Sequence, residues 1–433
     1  MKQTLFCLFL ALLGIGELQA QSIVAGPMLG YNTMREVAVW IQISGSYVQI
    51  QYWDTKQPGK IKRSGIRYPE NQYANTATLV LGPLEPGTSY NYQVIIDDKV
   101  LEEKTYSFTT QSLWQFRTDP PEFSFLAGSC AYINDEAYDR PGTPYGRNYD
   151  IFESMAKEED ARFMMWLGDN IYLREADFYS RSGIYHRNSH TRKIPELQSL
   201  LSKMHHYAIW DDHDYGPNDS DYTYSLKDIT KEAFMNFWAN PVYGVGGSEG
   251  ITGHFVFNDC EFFLMDNRWY REPQAHDATY LGDVQIKWLI DALRNSKASI
   301  KFICIGGQVL SDYAMYENYA VFSDERNKLL RLLDEHNIEN IVFLTGDRHH
   351  SEVSKYTTQD GQVWYDITSS ALTSKTYDHS KEENHFRLDK KAIIDENNYA
   401  VFNIDGKYDD RKVEVVFKDK KGKKIKSYKL EFK

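Results

Sequence analysis

Hydrophobic and polar positions follow two periods along this chain, and the change from one to the other divides it. At 37–43 and 48–52 apolar residues recur at every second position, the signature of half-buried strands. A third such run at 76–81 leads into Gly82-Pro83-Leu84-Glu85-Pro86-Gly87-Thr88-Ser89-Tyr90-Asn91-Tyr92-Gln93-Val94, where Pro86-Gly87 places a turn before a strand with aromatic residues on alternate positions. Residues 22–112 therefore predict a small, separate β domain. A linker at 113–122 follows, stiffened by Asp119-Pro120-Pro121.

From Phe123 the pattern changes. Short apolar runs at 123–127, 162–167, 207–210, 302–305 and 341–345 are each closed by Gly or Asp, which predicts buried strands. Between them, apolar residues fall at helical spacing at 149–161, 195–205, 229–238, 283–298 and 324–336. Interleaved strands and helices predict a layered α/β domain over 123–433. A hairpin at 251–266, turning at Asn258-Asp259, makes its sheet mixed.

The five strand ends carry the chemistry: Gly128-Ser129-Cys130, Gly168-Asp169-Asn170-Ile171-Tyr172, Trp210-Asp211-Asp212-His213-Asp214, Gly306-Gly307-Gln308 and Gly346-Asp347-Arg348-His349. Ligands gather beyond the carboxyl ends of strands in open α/β sheets, so these are the positions from which side chains reach a common site. Cys130, Asp169, Tyr172 and His349 offer thiolate, carboxylate, phenolate and imidazole, an anionic set suited to a hard, highly charged ion such as Fe(3+). Asp212 and Asp347, with Asp169 as a bridge, offer carboxylate oxygen, which favours Ca(2+), magnesium or manganese over zinc. Two cations a few ångströms apart suit phosphoester hydrolysis. A cysteine nucleophile at Cys130 would leave the Asp-rich loops without a purpose, and Gly128-Ser129-Cys130 does not have the Gly-x-Ser-x-Gly form of a serine-nucleophile elbow.

Residues 1–20 set a basic Lys2 and an apolar stretch before Ala20, a secretory signal pattern too short to span a bilayer, so an exported chain without a membrane span is expected. The net charge of -12 argues against nucleic acid or an anionic membrane as the main partner. Removing the leader would leave three cysteines, an odd number. Cys260 and Cys304 sit inside apolar runs, where cysteine behaves as a small hydrophobe; Cys130 lies past a strand end, where a thiolate can face a ligand.

Gly168-Asp169-Asn170-Ile171-Tyr172 matches the Gly-Asp-x-x-Tyr signature of the purple acid phosphatases and their relatives. With the Cys130, Asp212 and Asp347 motifs and Asp266-Asn267-Arg268, the set resembles the alkaline phosphatase D (PhoD) family of metallophosphatases. The segment at 84–94 resembles a fibronectin type III-like domain. The resemblance implies an αββα metallophosphoesterase sandwich behind an N-terminal β-sandwich, and attack of a metal-bound hydroxide on phosphomonoesters and possibly phosphodiesters. It assigns Cys130, Tyr172 and His349 to iron, Asp169 to a bridge, and Asp212 and Asp347 to calcium. Arg268 would clamp the phosphate, and His213 would act near the leaving oxygen. Asp211, Asp214, Asn218, Asp266 and Gln308 would bind phosphate or orient the ligands. Asp212 stands where the wider family has Asn, and Gln308 replaces a histidine; both changes push the second site toward a hard cation. A phosphodiesterase or phospholipase-like enzyme on the same metals is the alternative within the class. A calcium-dependent protein that binds phosphorylated or polysaccharide ligands is the alternative outside it. Arg268 has a structural rival, a surface salt bridge to Asp266 or Glu272. Aromatic walls are expected from 171–194 and Trp269-Tyr270, with 313–319 and 376–386 as capping loops.

Overall fold

The computed structural model describes residues 21–101, 104–389, 393–408 and 410–432. The expected leader at 1–20 lies outside them. Two sheets face each other across an aromatic core. In the nine-stranded sheet the order is Lys424–Leu430, Asp410–Asp419, Asn398–Lys407, Phe123–Gly128, Ala161–Leu167, His205–Ile209, Ser22–Asn32, Val37–Ser44 and Thr76–Leu81. The six-stranded sheet runs Gly253–Phe257, Cys260–Leu264, Ile300–Cys304, Ile341–Thr345, Val363–Thr368 and Glu352–Thr357.

Between the sheets Phe125 stacks on Phe163 at 4.8 Å and on Phe402 at 4.6 Å, while Phe262 and Phe302 from the other sheet meet Phe125 edge-on at 5.3 Å each. Offset and edge-to-face packing of this kind adds to the area buried. Helices Pro195–Lys203 and Lys227–Phe237 cover the outer face of the first sheet, and helices Asp283–Asn295 and Ser323–Glu335 cover that of the second. This is the expected αββα sandwich. The helix expected at 149–161 is shorter, Asp150–Met155, because the chain must turn into the strand at Ala161.

The N-terminal region is a β-sandwich, its second sheet built on Val48–Asp54 and Ser89–Ile96. The hydroxyl of Tyr90 accepts a 2.9 Å bond from the backbone N–H of Glu85, so this ring pins the turn before its own strand. It is not a separate sheet, however. Leu29 pairs in parallel with His205, and Ser22–Asn32 thereby continues the nine-stranded sheet. Edge pairing uses backbone groups alone and leaves no mark in the side-chain pattern.

A second difference is the helix Arg181–Lys193 inside what reads as a loop at 171–194. Its polar composition hides buried charge. Arg187 bonds Asp139 at 3.0 Å and Asp177 at 2.9 Å, and Arg192 lies 3.8 Å over the ring of Trp238. Paired and stacked guanidinium groups tolerate burial that free charges do not. No helix among the described residues is long and apolar enough to cross a membrane.

Candidate metal centre

Strand register decides which side chains meet. Met165 pairs with Ala127 and Trp166 with Gly128, while Leu167 pairs with Ile209, so Cys130, Asp169 and Asp212 emerge at one edge. In the other sheet Leu264 pairs with Cys304 and Cys304 with Leu344, which brings Asp266, Gly306 and Asp347 to the same edge. Glycine lets the strand ends approach one another. A Cβ on Gly346 would lie 2.6 Å from the Leu167 carbonyl oxygen, and one on Gly168, at φ +93, would lie 2.6 Å from the Asp211 Cβ. Any larger residue would wedge the two strand ends apart.

Four candidate ligands hold left-handed backbone: Cys130 (φ 58), Asp169 (φ 51), Asp347 (φ 64) and His349 (φ 54). Such conformations are costly for non-glycine residues and collect at functional sites, where they aim side chains that regular structure would turn away.

Asp169, 1 % exposed, stands at the middle. Its Oδ2 lies 3.6 Å from the Cys130 Sγ and accepts a 3.0 Å bond from the Tyr172 hydroxyl. Its Oδ1 accepts from the His213 backbone N–H at 3.4 Å. Nδ1 of His349 lies 2.7 Å from the Lys375 carbonyl oxygen, which fixes it as the donor and leaves Nε2 as an acceptor 3.3 Å from the Tyr172 hydroxyl. Cys130, Asp169 and His349 thus form one donor set, Asp169, Asp212 and His213 a second, and Asp212, Asp219 and Glu317 a third. All six expected metal residues belong to this neighbourhood. Asp347 reaches it through its carbonyl oxygen, 3.5 Å from the Cys130 Sγ, and through a carboxylate with an open oxygen.

The donors fit a cation. Asp211 Oδ2, Asp212 Oδ1 and Asp347 Oδ2 are buried atoms without a hydrogen-bond partner. Each unpaired buried carboxylate oxygen is destabilising by several kcal/mol unless a proton or a cation meets it. Burial, reinforced by Asp212 and Asp211, holds the Asp169 carboxyl well above the usual carboxylate range; burial also raises Asp211 to about 6 and Asp214 to about 7. Burial pushes the Cys130 thiol and the Tyr172 phenol up as well, and nearby Asp169 adds to both. Without a cation the upward shifts favour protons on these groups; a bound cation would take the protons' place.

A carboxyl raised to about 6 when folded stabilises the chain below the unfolded carboxylate pKa, and that contribution is lost as pH rises through 6. Calcium added to chelator-treated protein should therefore raise the thermal midpoint more at pH 8 than at pH 5, where it must displace protons. Equal shifts at the two values would show that these carboxylates are not the binding groups.

Three of the expected site residues have their hydrogen-bonding groups engaged within the protein. Arg268 is fully buried, and its guanidinium is spent: Nε donates to Asp211 at 2.6 Å, Nη2 to Asp211 and to Glu317 at 3.0 Å, and Nη1 to Glu317 at 2.8 Å and the Ser220 carbonyl at 3.3 Å. With every donor engaged it orients carboxylates rather than clamping phosphate, and its partners are neither Asp266 nor Glu272. Gln308 donates its amide to Glu352 at 2.8 Å and Thr368 at 2.9 Å, so neither N–H remains for a phosphate. Asp266 accepts four bonds, from the Trp210 indole and the backbone N–H groups of Ile251, Arg268 and Trp269, which makes it the anchor of its turn.

The other expected neighbours hold the loops. Asp214 accepts from the Asn170 and Asp211 backbone N–H groups, tying the Asp169 and Asp212 loops together. His213 stacks on Tyr172 at 4.3 Å, and burial lowers its imidazole to about 3, so it faces the site as a neutral ring.

A cleft of about 600 Å³ opens beside the centre, lined by Tyr132, Tyr145, Tyr172, Arg174, His213 and Asn218 among others. Tyr145 and Tyr377 supply the aromatic wall. Trp269 does not; it packs into the core beneath Lys227 and Lys231, whose Nζ atoms lie 4.6 and 4.9 Å from its ring. Glu317 and Asp219 were not singled out by sequence. Asp219 ends the Gly216-Pro217-Asn218-Asp219 turn, and Glu317 sits within the expected capping loop at 313–319, where nothing local distinguishes it from a surface glutamate.

A family profile described as PhoD-like phosphatase matches residues 125–409, and one described as a domain of unknown function (DUF7800) matches residues 20–113. Alkaline phosphatase D of Bacillus subtilis (strain 168) is 23 % identical over 368 residues, 72 % of this chain and 59 % of that protein, so the chain spans somewhat over half the length of this curated relative. Among solved structures, one titled as the structure of PhoD superposes with a TM-score of 0.75 at 16 % identity, over 95 % of this chain and 93 % of that one. Purple acid phosphatase PPD1 from yellow lupin (Lupinus luteus) seeds gives 0.69 at 11 % identity, over 93 % and 73 %.

Proposed function

The chain belongs to the PhoD-like phosphatase family, and from that premise we propose that it is an exported, metal-dependent phosphoester hydrolase. The observation that carries this reading is the set of buried carboxylate oxygens without partners around Asp169, next to a thiol, a phenol and an imidazole acceptor. Cys130, Tyr172 and His349, with Asp169, suit a ferric ion; Asp212, Asp347, Asp219 and Glu317, sharing Asp169, suit calcium or another hard divalent ion. Bound there, the cations would supply Lewis acidity, lower the pKa of water and offset phosphoryl charge.

The chain's own residues supply the rest. Asp169 holds the two donor sets at a fixed separation. Arg268 aims Asp211 and Glu317 and offsets their charge. Neutral His213, with Asn218 beside it on the cleft wall, donates to the phosphoryl or leaving-group oxygen. The cleft accepts the alcohol portion of the substrate against Tyr145 and Tyr377. Hydrolysis forms a bond from water oxygen to phosphorus and breaks the bond to the leaving oxygen, which takes up a proton. Export is supported by the leader pattern at 1–20.

Hydrolysis of p-nitrophenyl phosphate beside bis-p-nitrophenyl phosphate, with calcium present, tests the reading. Monoester turnover is the expected result. Preference for the diester would assign the site to phosphodiesters, and turnover of neither would overturn the enzyme reading for aryl esters.

A further inference from the structure

The Arg181–Lys193 helix carries a second cluster of metal-capable side chains that takes no part in the centre around Asp169. His186 and His190, one turn apart on that helix, face Asp135 on the segment that follows Cys130. Nε2 of His186 lies 2.8 Å from Asp135 Oδ2, and Nδ1 of His190 lies 3.6 Å from the same oxygen. Asp135 is nearly buried, with its side chain 10 % exposed, while His186 is 46 % and His190 29 % exposed.

The tautomer of His190 is informative. Its Nε2 lies 2.8 Å from the carbonyl oxygen of Asn134 and must donate to it. In the neutral ring Nδ1 then carries a lone pair, directed at a carboxylate oxygen. Two acceptors facing each other repel unless a proton or a metal cation stands between them, and the same contact that a proton can fill offers a lone pair to a metal. A histidine that donates one ring N–H to a backbone carbonyl while its other nitrogen faces a carboxylate is the arrangement that orients ligating histidines.

We propose that Asp135, His186 and His190 form a separate site for a borderline divalent ion of the zinc class, with two imidazole nitrogens and one carboxylate oxygen as protein ligands and water on the exposed side. All three donors lie within 4.8 Å of one another. Ligands on a tetrahedral zinc at about 2.0–2.1 Å stand roughly 3.3 Å apart, so the two nitrogen–oxygen separations of 2.8 and 3.6 Å need to move by about half an ångström or less. Two nitrogens and one oxygen favour zinc, cobalt or nickel over calcium. Arg187, the nearest positive side chain on the same helix, is neutralised by Asp139 and Asp177 and leaves the site open to a cation. Bound there, the ion would clamp the segment that supplies Asn134, Glu136, Asp139 and Arg140 to the cleft wall onto the helix.

The test uses the full chain with its main centre left as purified. Zinc is added, the protein is desalted, and retained zinc is counted for wild type, for His186→Ala and for His186→Ala/His190→Ala. Wild type is expected to retain one zinc per chain more than the double variant, and its thermal midpoint to climb with each tenfold rise in zinc while that of the variant does not. Cobalt should give wild type a visible absorption band that both variants lack. Ester turnover without added metal should be the same in all three. The half-exposed His186→Ala single variant guards against a folding defect. Equal zinc counts with superimposable cobalt spectra would overturn the proposal.

Discussion

Asp169→Asn is expected to lower phosphoester turnover by about 10³-fold or more, corresponding to about 4 kcal/mol of transition-state stabilisation. Asp169 belongs to two donor sets at once, with Cys130 and His349 on one side and Asp212 and His213 on the other. The amide keeps the size of the carboxylate and can still meet the Tyr172 hydroxyl, so the fold should survive. It removes the one negative charge that both sets share, and with it the affinity of each for a cation. The measurement is kcat and KM beside metal content. A fall in kcat together with loss of bound metal supports a shared bridge; a fall in kcat with metal content unchanged would assign Asp169 a different role.

Arg268→Met should destabilise the protein by about 3–5 kcal/mol, the usual effect of removing one partner from a buried charge cluster. Its guanidinium is 0 % exposed and makes two bonds each to Asp211 and Glu317 and a fifth to the Ser220 carbonyl, and Asp212 lies 3.9 Å away. Without it, three carboxylates face one another with only Arg271 on Glu317, at 2.5 Å, to offset them. Arg268→Lys should recover little, because a single ammonium cannot reproduce the planar fork. A thermal midpoint lowered in the absence of substrate, and partly restored by calcium, is the expected result. A variant of wild-type stability with only a raised KM would return Arg268 to the phosphate.

The strand ends were legible because buried strands are short, apolar and closed by Gly or Asp, and a strand end in such a sheet has few places to point. That logic located Cys130, Asp169, Asp212, Asp347 and His349 together. It could not reveal that Arg268 spends every donor inside the protein, since an arginine beside an Asp-rich motif looks the same whether it faces substrate or carboxylates. Glu317 stayed hidden for a related reason: its partners Arg268 and Arg271 lie more than forty positions away in a different loop. The Arg181–Lys193 helix escaped because its buried side chains include Arg187 and Arg192, which invert the apolar periodicity that marks a helix. The continuity of the N-terminal sheet with the catalytic one rests on the Leu29 and His205 backbones.

Turnover of p-nitrophenyl phosphate during stepwise return of calcium to chelator-stripped protein, for wild type and Asp169→Asn in parallel, tests the central claim most directly. Activity that is lost on stripping and returns with calcium in wild type alone is the result predicted here. Undiminished turnover in the stripped wild type, or equal recovery in both proteins, would contradict it.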